Sequence, residues 1–193
     1  SIVKTTRPSK VVKVATPCDM ADPGYGIYHP WKKNLKMGRM LMPKKKALTA
    51  DGGFDLIIHF HGGNAVRKTI VDIARGVYIA AVDLGAGSSA YERPFTKPGK
   101  FLSLLKDVEK AVARDTNNKR AHIRKLGLTG WSAGYGAIRA ILRQKASARV
   151  DAVVLIDGLH SNYSNASRTK LRSYQLKPFV SFARHAAKGD KFM

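Results

Sequence analysis

The segment that decides the fold spans residues 122–144 and reads HIRKLGLTGWSAGYGAIRAILRQ. Its first ten residues, 122–131, are predicted to form a strand. Gly130-Trp131-Ser132-Ala133-Gly134 then makes a glycine-rich turn. From residue 133 to 144, apolar side chains recur at helical spacing, which predicts an amphipathic helix. Strand, sharp turn and helix in immediate succession are typical of one repeat of an α/β fold.

The same alternation runs outward from this segment in both directions. Further strands are predicted over 11–15, 37–42, 54–60, 77–84 and 150–156, and further helices over 65–75, 100–115 and 174–187. Residues 85–98 are predicted to form a loop because Pro94 and Pro98 interrupt them. This spacing predicts an α/β protein with a mostly parallel sheet of about six strands and helices on both faces. We expect one domain, in which residues 1–53 form a basic N-terminal arm with edge strands and residues 54–193 form the core.

Ser132 stands where the strand over 122–131 ends and the next helix begins. A nucleophilic serine needs a strained turn that lifts its oxygen clear of the sheet, and glycines two residues before and after it relieve the crowding between strand and helix. The N–H groups at the start of the helix add positive potential for an oxyanion. The alternative is a glycine-rich turn in which Ser132 only caps the helix. The buried strand and the amphipathic helix on either side favour the nucleophile.

A second glycine turn, His61-Gly62-Gly63-Asn64, directly follows the strand over 54–60. Backbone N–H groups approach a reacting carbonyl closely where glycines leave room, so Gly62 and Gly63 are candidate oxyanion donors. Since functional groups of parallel sheets gather at the carboxyl ends of the strands, we expect this turn and Ser132 to converge at one edge. The alternative is a turn that merely ends the strand.

Together, the two turns resemble the α/β-hydrolase family, above all its lipase and esterase branches, over about residues 54–157. The resemblance implies a three-layer sandwich and the hydrolysis of an ester through an acyl-enzyme on Ser132. The positive charge of the chain leaves open whether that ester is a small molecule or is linked to a polymer. In the family the residue after the nucleophile, here Ala133, supplies the second oxyanion N–H. Asn64 departs from the HGGG form of the family's oxyanion turn. The resemblance implies no metal and no organic cofactor.

The family adds an acid and then a histidine after the serine. Asp157 ends the strand over 150–156 on the edge where Ser132 is expected, which makes it the candidate for orienting the histidine. The alternative is a carboxylate that caps a turn. His160 follows in the next loop and is the candidate base. The family core has eight strands, so we also expect the fold to be C-terminally incomplete, with the catalytic histidine beyond Met193 as the alternative to His160.

Positive charge is the strongest bulk property of the chain. Its 193 residues include 35 Lys+Arg and 13 Asp+Glu, which gives a formal net charge of +22. A basic cluster precedes the core and comprises Lys32, Lys33, Lys36, Arg39 and Lys44–Lys46. Such charge predicts attraction to an anionic polymer or membrane surface. No zinc-finger spacing or aromatic-interleaved platform accompanies it, which argues against specific nucleic-acid binding. The alternative to an enzyme is thus a non-catalytic α/β-hydrolase-like protein, or an inactive fragment, that binds an anionic partner through this surface.

Other patterns give weaker expectations. The single cysteine, Cys18, excludes an intramolecular disulfide. His59 and His61 face one side of a strand, but no third metal ligand accompanies them. The sequence Gly85-Ala86-Gly87-Ser88-Ser89-Ala90 matches a dinucleotide-binding pattern, yet no helix is predicted to open on it, which argues against that site. No run of 18 apolar residues predicts a membrane span. The sequence leaves both a cytoplasmic and an exported protein open.

Overall fold

A computed structural model describes residues 21–193 of the chain. Within these residues the strands are β1 (Arg39–Leu41), β2 (Gly53–Phe60), β3 (Val77–Val82), β4 (His122–Trp131) and β5 (Ala152–Ile156). The α-helices are α1 (Gly63–Ile73), α2 (Ser88–Thr96), α3 (Lys100–Thr116), α4 (Tyr135–Leu142) and α5 (Ser173–Ala186). A 3-10 turn over Ser132–Gly134 joins β4 to α4. The strand predicted over 11–15 and Cys18 lie outside the described residues.

The strands form one mixed sheet in the order β1-β3-β2-β4-β5. Strands β2 to β5 are all parallel to one another, and β1 pairs antiparallel to β3. The predicted α/β class with a mostly parallel sheet is confirmed. The described sheet has five strands, which correspond to the five predicted within residues 21–193, and the sixth predicted strand, over 11–15, lies outside them. The strand predicted over 37–42 shortens to Arg39–Leu41, and at the other edge Phe192 pairs with Ala152 only through an isolated parallel bridge.

Helices cover both faces of the sheet, because alternate side chains of each strand point to opposite sides. On one face, Phe54, Leu56, Ile58 and Phe60 of β2 are almost completely buried within a large core cluster to which α2, α3, α4 and α5 contribute. On the other face, a smaller cluster joins Ile79 of β3 to α1. Burying a large apolar side chain stabilises the fold by about 1.5–3 kcal/mol, so the larger cluster fixes the sheet and the turns at its edge.

Helix α2 replaces most of the loop predicted over 85–98, so that prediction is wrong. Tyr91 and Phe95 lie one helical turn apart and are fully buried, and packing of this kind outweighs the missing N–H of Pro94. A helix therefore does begin within Gly85–Ala90. The argument against a dinucleotide site there, which assumed that no helix begins on the motif, is also wrong. The N-terminus of α2 is packed against α4, since a Cβ at Gly136 would fall on the carbonyl oxygen of Ser88.

Within residues 21–193, no helix is both long enough and apolar enough to cross a bilayer.

Candidate functional site

The turn around Ser132 is a strained connection between β4 and α4. Ser132 has a φ of +42°, a left-handed conformation that non-glycine residues adopt at a cost of order 1–3 kcal/mol. Its side chain is half-buried rather than packed in the interior. Such a turn holds a side chain at the edge of the sheet, directly before the N-terminus of a helix. We call the segment Gly130–Gly134 the elbow.

The glycines of the elbow allow α4 to approach the sheet closely. A Cβ at Gly134 would fall on the carbonyl oxygen of Phe60, at the end of β2. A Cβ at Gly130 would lie 3.1 Å from the carbonyl carbon of Gly134. Only glycine fits both positions without displacing backbone, so the spacing seen in the sequence has a steric cause.

The turn that follows β2 lies against the elbow. Phe60 pairs with Gly130 in the sheet, so His61 and Trp131, which follow them, lie next to each other at the ends of the two strands. The ring of His61 stacks on Trp131, with centroids 5.3 Å apart and planes 23° from parallel. A Cβ at Gly62 would lie 2.5 Å from the Trp131 ring, and both His61 and Gly62 have positive φ. The structure therefore brings together the two turns that the sequence singled out.

The backbone donors of these turns differ in availability. The N–H of Gly63 donates to Oδ1 of Asp83 at 3.1 Å. Among residues 21–193, no acceptor takes the N–H of Gly62 or that of Ala133. Of the three predicted oxyanion donors, Gly62 and Ala133 thus have N–H groups free for a ligand, whereas that of Gly63 holds the turn to Asp83.

His59 anchors the carbonyl of His61 from inside the sheet, a contact that the sequence did not reveal. Its Nε2 donates to the His61 carbonyl oxygen at 2.6 Å, and its Nδ1 lies 2.7 Å from Oγ1 of Thr129. Because a carbonyl only accepts, Nε2 carries the proton and Nδ1 accepts from the Thr129 hydroxyl. Burial lowers the pKa of His59, which favours this neutral form. The signal in the sequence was its alternation with His61, which also suggested a metal.

Tyr91 holds the other side of the same turn. Its hydroxyl lies 2.8 Å from Nδ1 of His61, donates to the carbonyl of Gly85 at 3.0 Å and accepts from the N–H of Leu84 at 3.1 Å. Since that hydroxyl proton goes to Gly85, Nδ1 of His61 must carry its own proton. His59 thus uses both of its ring nitrogens in hydrogen bonds, and His61 uses its Nδ1 and its carbonyl oxygen. Within the described residues, no group of three or more metal-ligating side chains occurs.

Asp157 and His160 lie on the same edge of the sheet as the elbow. Ile156 pairs with Trp131, so Asp157 follows β5 next to Ser132, and its φ is +46°. The loop approaches the elbow closely, since a Cβ at Gly158 would lie 2.9 Å from the carbonyl oxygen of Ser132. His160 is exposed, with its ring centroid 5.3 Å from that of Tyr135. Among the described residues, no hydrogen bond connects the side chains of Ser132, Asp157 and His160.

A cavity of about 240 Å³ opens beside the two turns. Its lining residues are His59, Gly62, Ala65, Val66, Thr69, Trp131 and Ile156. Most of these present apolar surface. The site therefore combines a strained serine, two free N–H groups and a small apolar pocket at one edge of the sheet.

Several solved structures have a similar fold, and they are esterases and peptidases of the α/β-hydrolase class. A bacterial heroin esterase matches with a TM-score of 0.48 and 18% identity, over 77% of this chain and 50% of that chain. Esterase B from Lactobacillus rhamnosis, inhibited by a tributyrin phosphonate, matches with a TM-score of 0.44 and 14% identity, over 90% and 62%. The acylaminoacyl peptidase of Pyrococcus horikoshii matches with a TM-score of 0.40 and 20% identity, over 66% and 22%.

The chain spans about half the length of that heroin esterase. No protein-family model and no functionally described protein sequence matches it.

Proposed function

We propose that the protein is a serine hydrolase that cleaves an ester through an acyl-enzyme on Ser132. The observation that supports this most directly is the positive φ of Ser132 at the point where the elbow meets the His61–Gly63 turn. A strained serine between a buried strand and a helix is typical of a nucleophile elbow. A capping serine would need no such strain, and Ser132 does not occupy an N-cap position, because Trp131 precedes the 3-10 turn as its N-cap and Gly134 is the N-cap of α4.

In the proposed reaction, Oγ of Ser132 attacks the ester carbonyl while His160 removes its proton. The electron pair of the carbonyl moves to oxygen, and the N–H groups of Gly62 and Ala133 donate hydrogen bonds to that oxyanion. The tetrahedral intermediate collapses, the C–O bond to the alcohol breaks, and His160 returns the proton to the leaving oxygen. A water molecule, deprotonated in the same way, then releases the acid from Ser132.

Asp157 is the residue we assign to orienting His160. It follows β5 beside Ser132, three residues before the histidine, and it is the acid that the position of the strand favours. In the free protein the three side chains are not hydrogen-bonded, and catalytic hydrogen bonds often tighten only when substrate binds.

The apolar cavity beside Gly62 and Trp131 suits the acyl group of the substrate. Its volume is about 240 Å³, and a short acyl chain fits within it. A butyrate ester is thus a suitable first substrate.

A fluorophosphonate probe tests the nucleophile directly. We expect one covalent adduct per chain, mapped by peptide mass spectrometry to Ser132, and loss of both the adduct and the esterase activity in Ser132→Ala. Ser103→Ala, which changes an exposed serine on α3, serves as the matched control and should label normally. Labelling that persists in folded Ser132→Ala would remove Ser132 from the mechanism.

A further inference from the structure

We propose that a basic groove next to the Ser132 site binds a carboxylate carried by the alcohol part of the ester substrate. The groove encloses about 430 Å³, and its charged lining residues are Lys33, Lys36, Arg39 and Asp83. We call this set the basic groove. The proposal deepens the proposed ester hydrolysis and rests on it.

The groove lies at the same edge of the sheet as the elbow. Arg39 begins β1 and pairs with Ala81, two residues before Asp83, so both face the carboxyl end of β3. Lys33 and Lys36 lie in the segment that enters β1 from that edge. Only β2 separates β3 from β4, and two strand spacings amount to about 10 Å. One substrate can therefore reach the groove and Ser132 together.

The hydrogen bonds of Asp83 connect the groove to the His61–Gly63 turn. One carboxylate oxygen accepts from Nη2 of Arg39 at 3.1 Å, and the other accepts from the N–H of Gly63 at 3.1 Å. The guanidinium of Arg39 is also placed over the ring of Trp31, with its carbon 4.5 Å from the centroid. Arg39 thus offsets the one negative charge of the groove, that of Asp83. Asp83 is bonded both to Arg39 in the groove and to Gly63 in the turn, and it therefore connects the two.

The two lysines provide the charge for a ligand. Both are exposed, and within residues 21–193 neither forms an ion pair, in contrast to neighbouring Lys32, which pairs with Asp115 at 2.6 Å. Three cations face one carboxylate in the groove, so its potential is positive. A lysine ammonium acts as a point charge, which fits a carboxylate without requiring bidentate geometry.

The position of the groove assigns the carboxylate to the alcohol part. The apolar cavity extends from Gly62 and α1 to Trp131 and Ile156 at the ends of β4 and β5, and we assign it to the acyl chain. The groove lies beyond Gly63, at the ends of β1 and β3. A substrate bound across Ser132 then directs its alcohol part over β3. The substrate class that fits is a short-chain ester of a hydroxy acid.

Two matched esters test this assignment. In 8-(butyryloxy)octanoate the alcohol part ends in a carboxylate, and in 8-(butyryloxy)octanamide it ends in a neutral amide of the same shape. We expect the ratio of kcat/KM for the carboxylate ester to that for the amide ester to fall about tenfold in Lys33→Gln/Lys36→Gln. Raising the salt concentration should lower the same ratio in the unchanged protein. Lys45→Gln/Lys119→Gln removes two exposed cations near the amino ends of the parallel strands, away from the groove. This control should leave the ratio of the two kcat/KM values unchanged.

A binding measurement separates this proposal from the proposed function. Calorimetry on Ser132→Ala with the product 8-hydroxyoctanoate should show an affinity that Lys33→Gln/Lys36→Gln weakens about tenfold. If the protein hydrolyses neither ester but binds 8-hydroxyoctanoate in this lysine-dependent way, the proposed hydrolase activity is contradicted and the proposed carboxylate site is supported. An equal loss for both esters, or no change in binding, would overturn the groove. Lysine variants that weaken only adsorption to an anionic polymer or vesicle would also overturn it, in favour of a docking surface.

Discussion

His59 shows how one buried side chain positions the His61–Gly63 turn. It joins β2 to β4 through Thr129, and it holds the carbonyl of His61, a residue with positive φ. Burial lowers the pKa of His59, so the folded protein excludes the proton that the unfolded chain binds below about pH 6.5. The stability that His59 contributes is therefore full above this pH and is lost as the pH falls toward its pKa in the folded state.

We expect the free energy of unfolding to decrease as the pH falls below about 6.5, and to decrease less steeply in His59→Gln than in the unchanged protein. Glutamine can donate to His61 and accept from Thr129, but it does not titrate. Urea unfolding at several pH values measures the difference. His122→Gln, which changes an exposed histidine, is the control and should keep the steep decrease. Equal slopes for His59→Gln and the unchanged protein would contradict the assignment.

His160 is the residue on which the proposed acid–base chemistry depends. A positioned general base contributes about 10²- to 10⁴-fold to rate, so His160→Gln should lower kcat by that factor and leave KM within about twofold. The rate of butyrate release from 8-(butyryloxy)octanamide at saturating concentration measures kcat. The control is His185→Gln, because His185 lies on α5 beside Asp190. A loss below tenfold in His160→Gln would exclude His160 as the base and leave a different histidine to be found.

The residues of the site divide by how they reveal themselves in a sequence. Ser132 and Gly62 stand out because tight turns restrict which residues can occupy them. Tyr91, Asp83 and His59 gave no such signal, since their roles come from contacts between strands and helices that are distant in sequence. Tyr91 falls within the predicted loop over 85–98, yet it is fully buried in α2 and holds His61. The residues that form the two tight turns could be predicted from the sequence, whereas the residues that hold those turns in place could not.

At the scale of the elements, the buried strands were the most predictable. Strand β2 runs over Gly53–Phe60, one residue longer than expected, because strands covered on both faces are almost continuously apolar. Helix α2 was not predicted because Pro94 is a strong signal against a helix in the sequence. In the structure the burial of Tyr91 and Phe95 stabilises the helix in spite of Pro94. Pro178 lies inside α5 as well, but there the longer apolar pattern made the helix recognisable.

Glu92 joins α2 to α4 in an ion pair that is nearly buried. Arg139, whose side chain is 7% exposed, donates to both carboxylate oxygens at 3.1 and 2.6 Å. Removing the charge of Glu92 leaves the Arg139 guanidinium without its partner in a poorly solvated position. We expect Glu92→Gln to lower the free energy of unfolding by about 3 kcal/mol, measured by urea denaturation.

The control for Glu92→Gln is an exposed pair of similar geometry. Arg124 donates to Asp55 at 2.8 and 2.6 Å, but the arginine side chain is 53% exposed. Exposed pairs contribute about 0–1 kcal/mol, so Asp55→Asn should cost less than about 1 kcal/mol. Equal losses in the two variants would show that burial does not set the strength of the Glu92 pair.

At the scale of the whole molecule, the positive charge acts on stability as well as on binding. A net charge of +22 on one domain of this size produces self-repulsion that favours the unfolded chain. Salt screens this repulsion, but it also weakens exposed ion pairs such as Lys125–Asp151. Because cations outnumber anions nearly three to one, most charge pairs are repulsive, and the first effect should dominate.

We therefore expect the melting temperature at pH 7 to rise as NaCl increases from about 10 to 200 mM. If screening restores about 1 kcal/mol, the rise is about 2–4 °C for a chain of this length, which calorimetry resolves. Near the isoelectric point of about 10.4 the net charge vanishes, so the same titration should then leave the melting temperature unchanged or lower it. A fall with salt at pH 7 would mean that attractive pairs outweigh the repulsion. The basic surface would then stabilise the fold, and binding of an anionic group would not be needed to explain its charge.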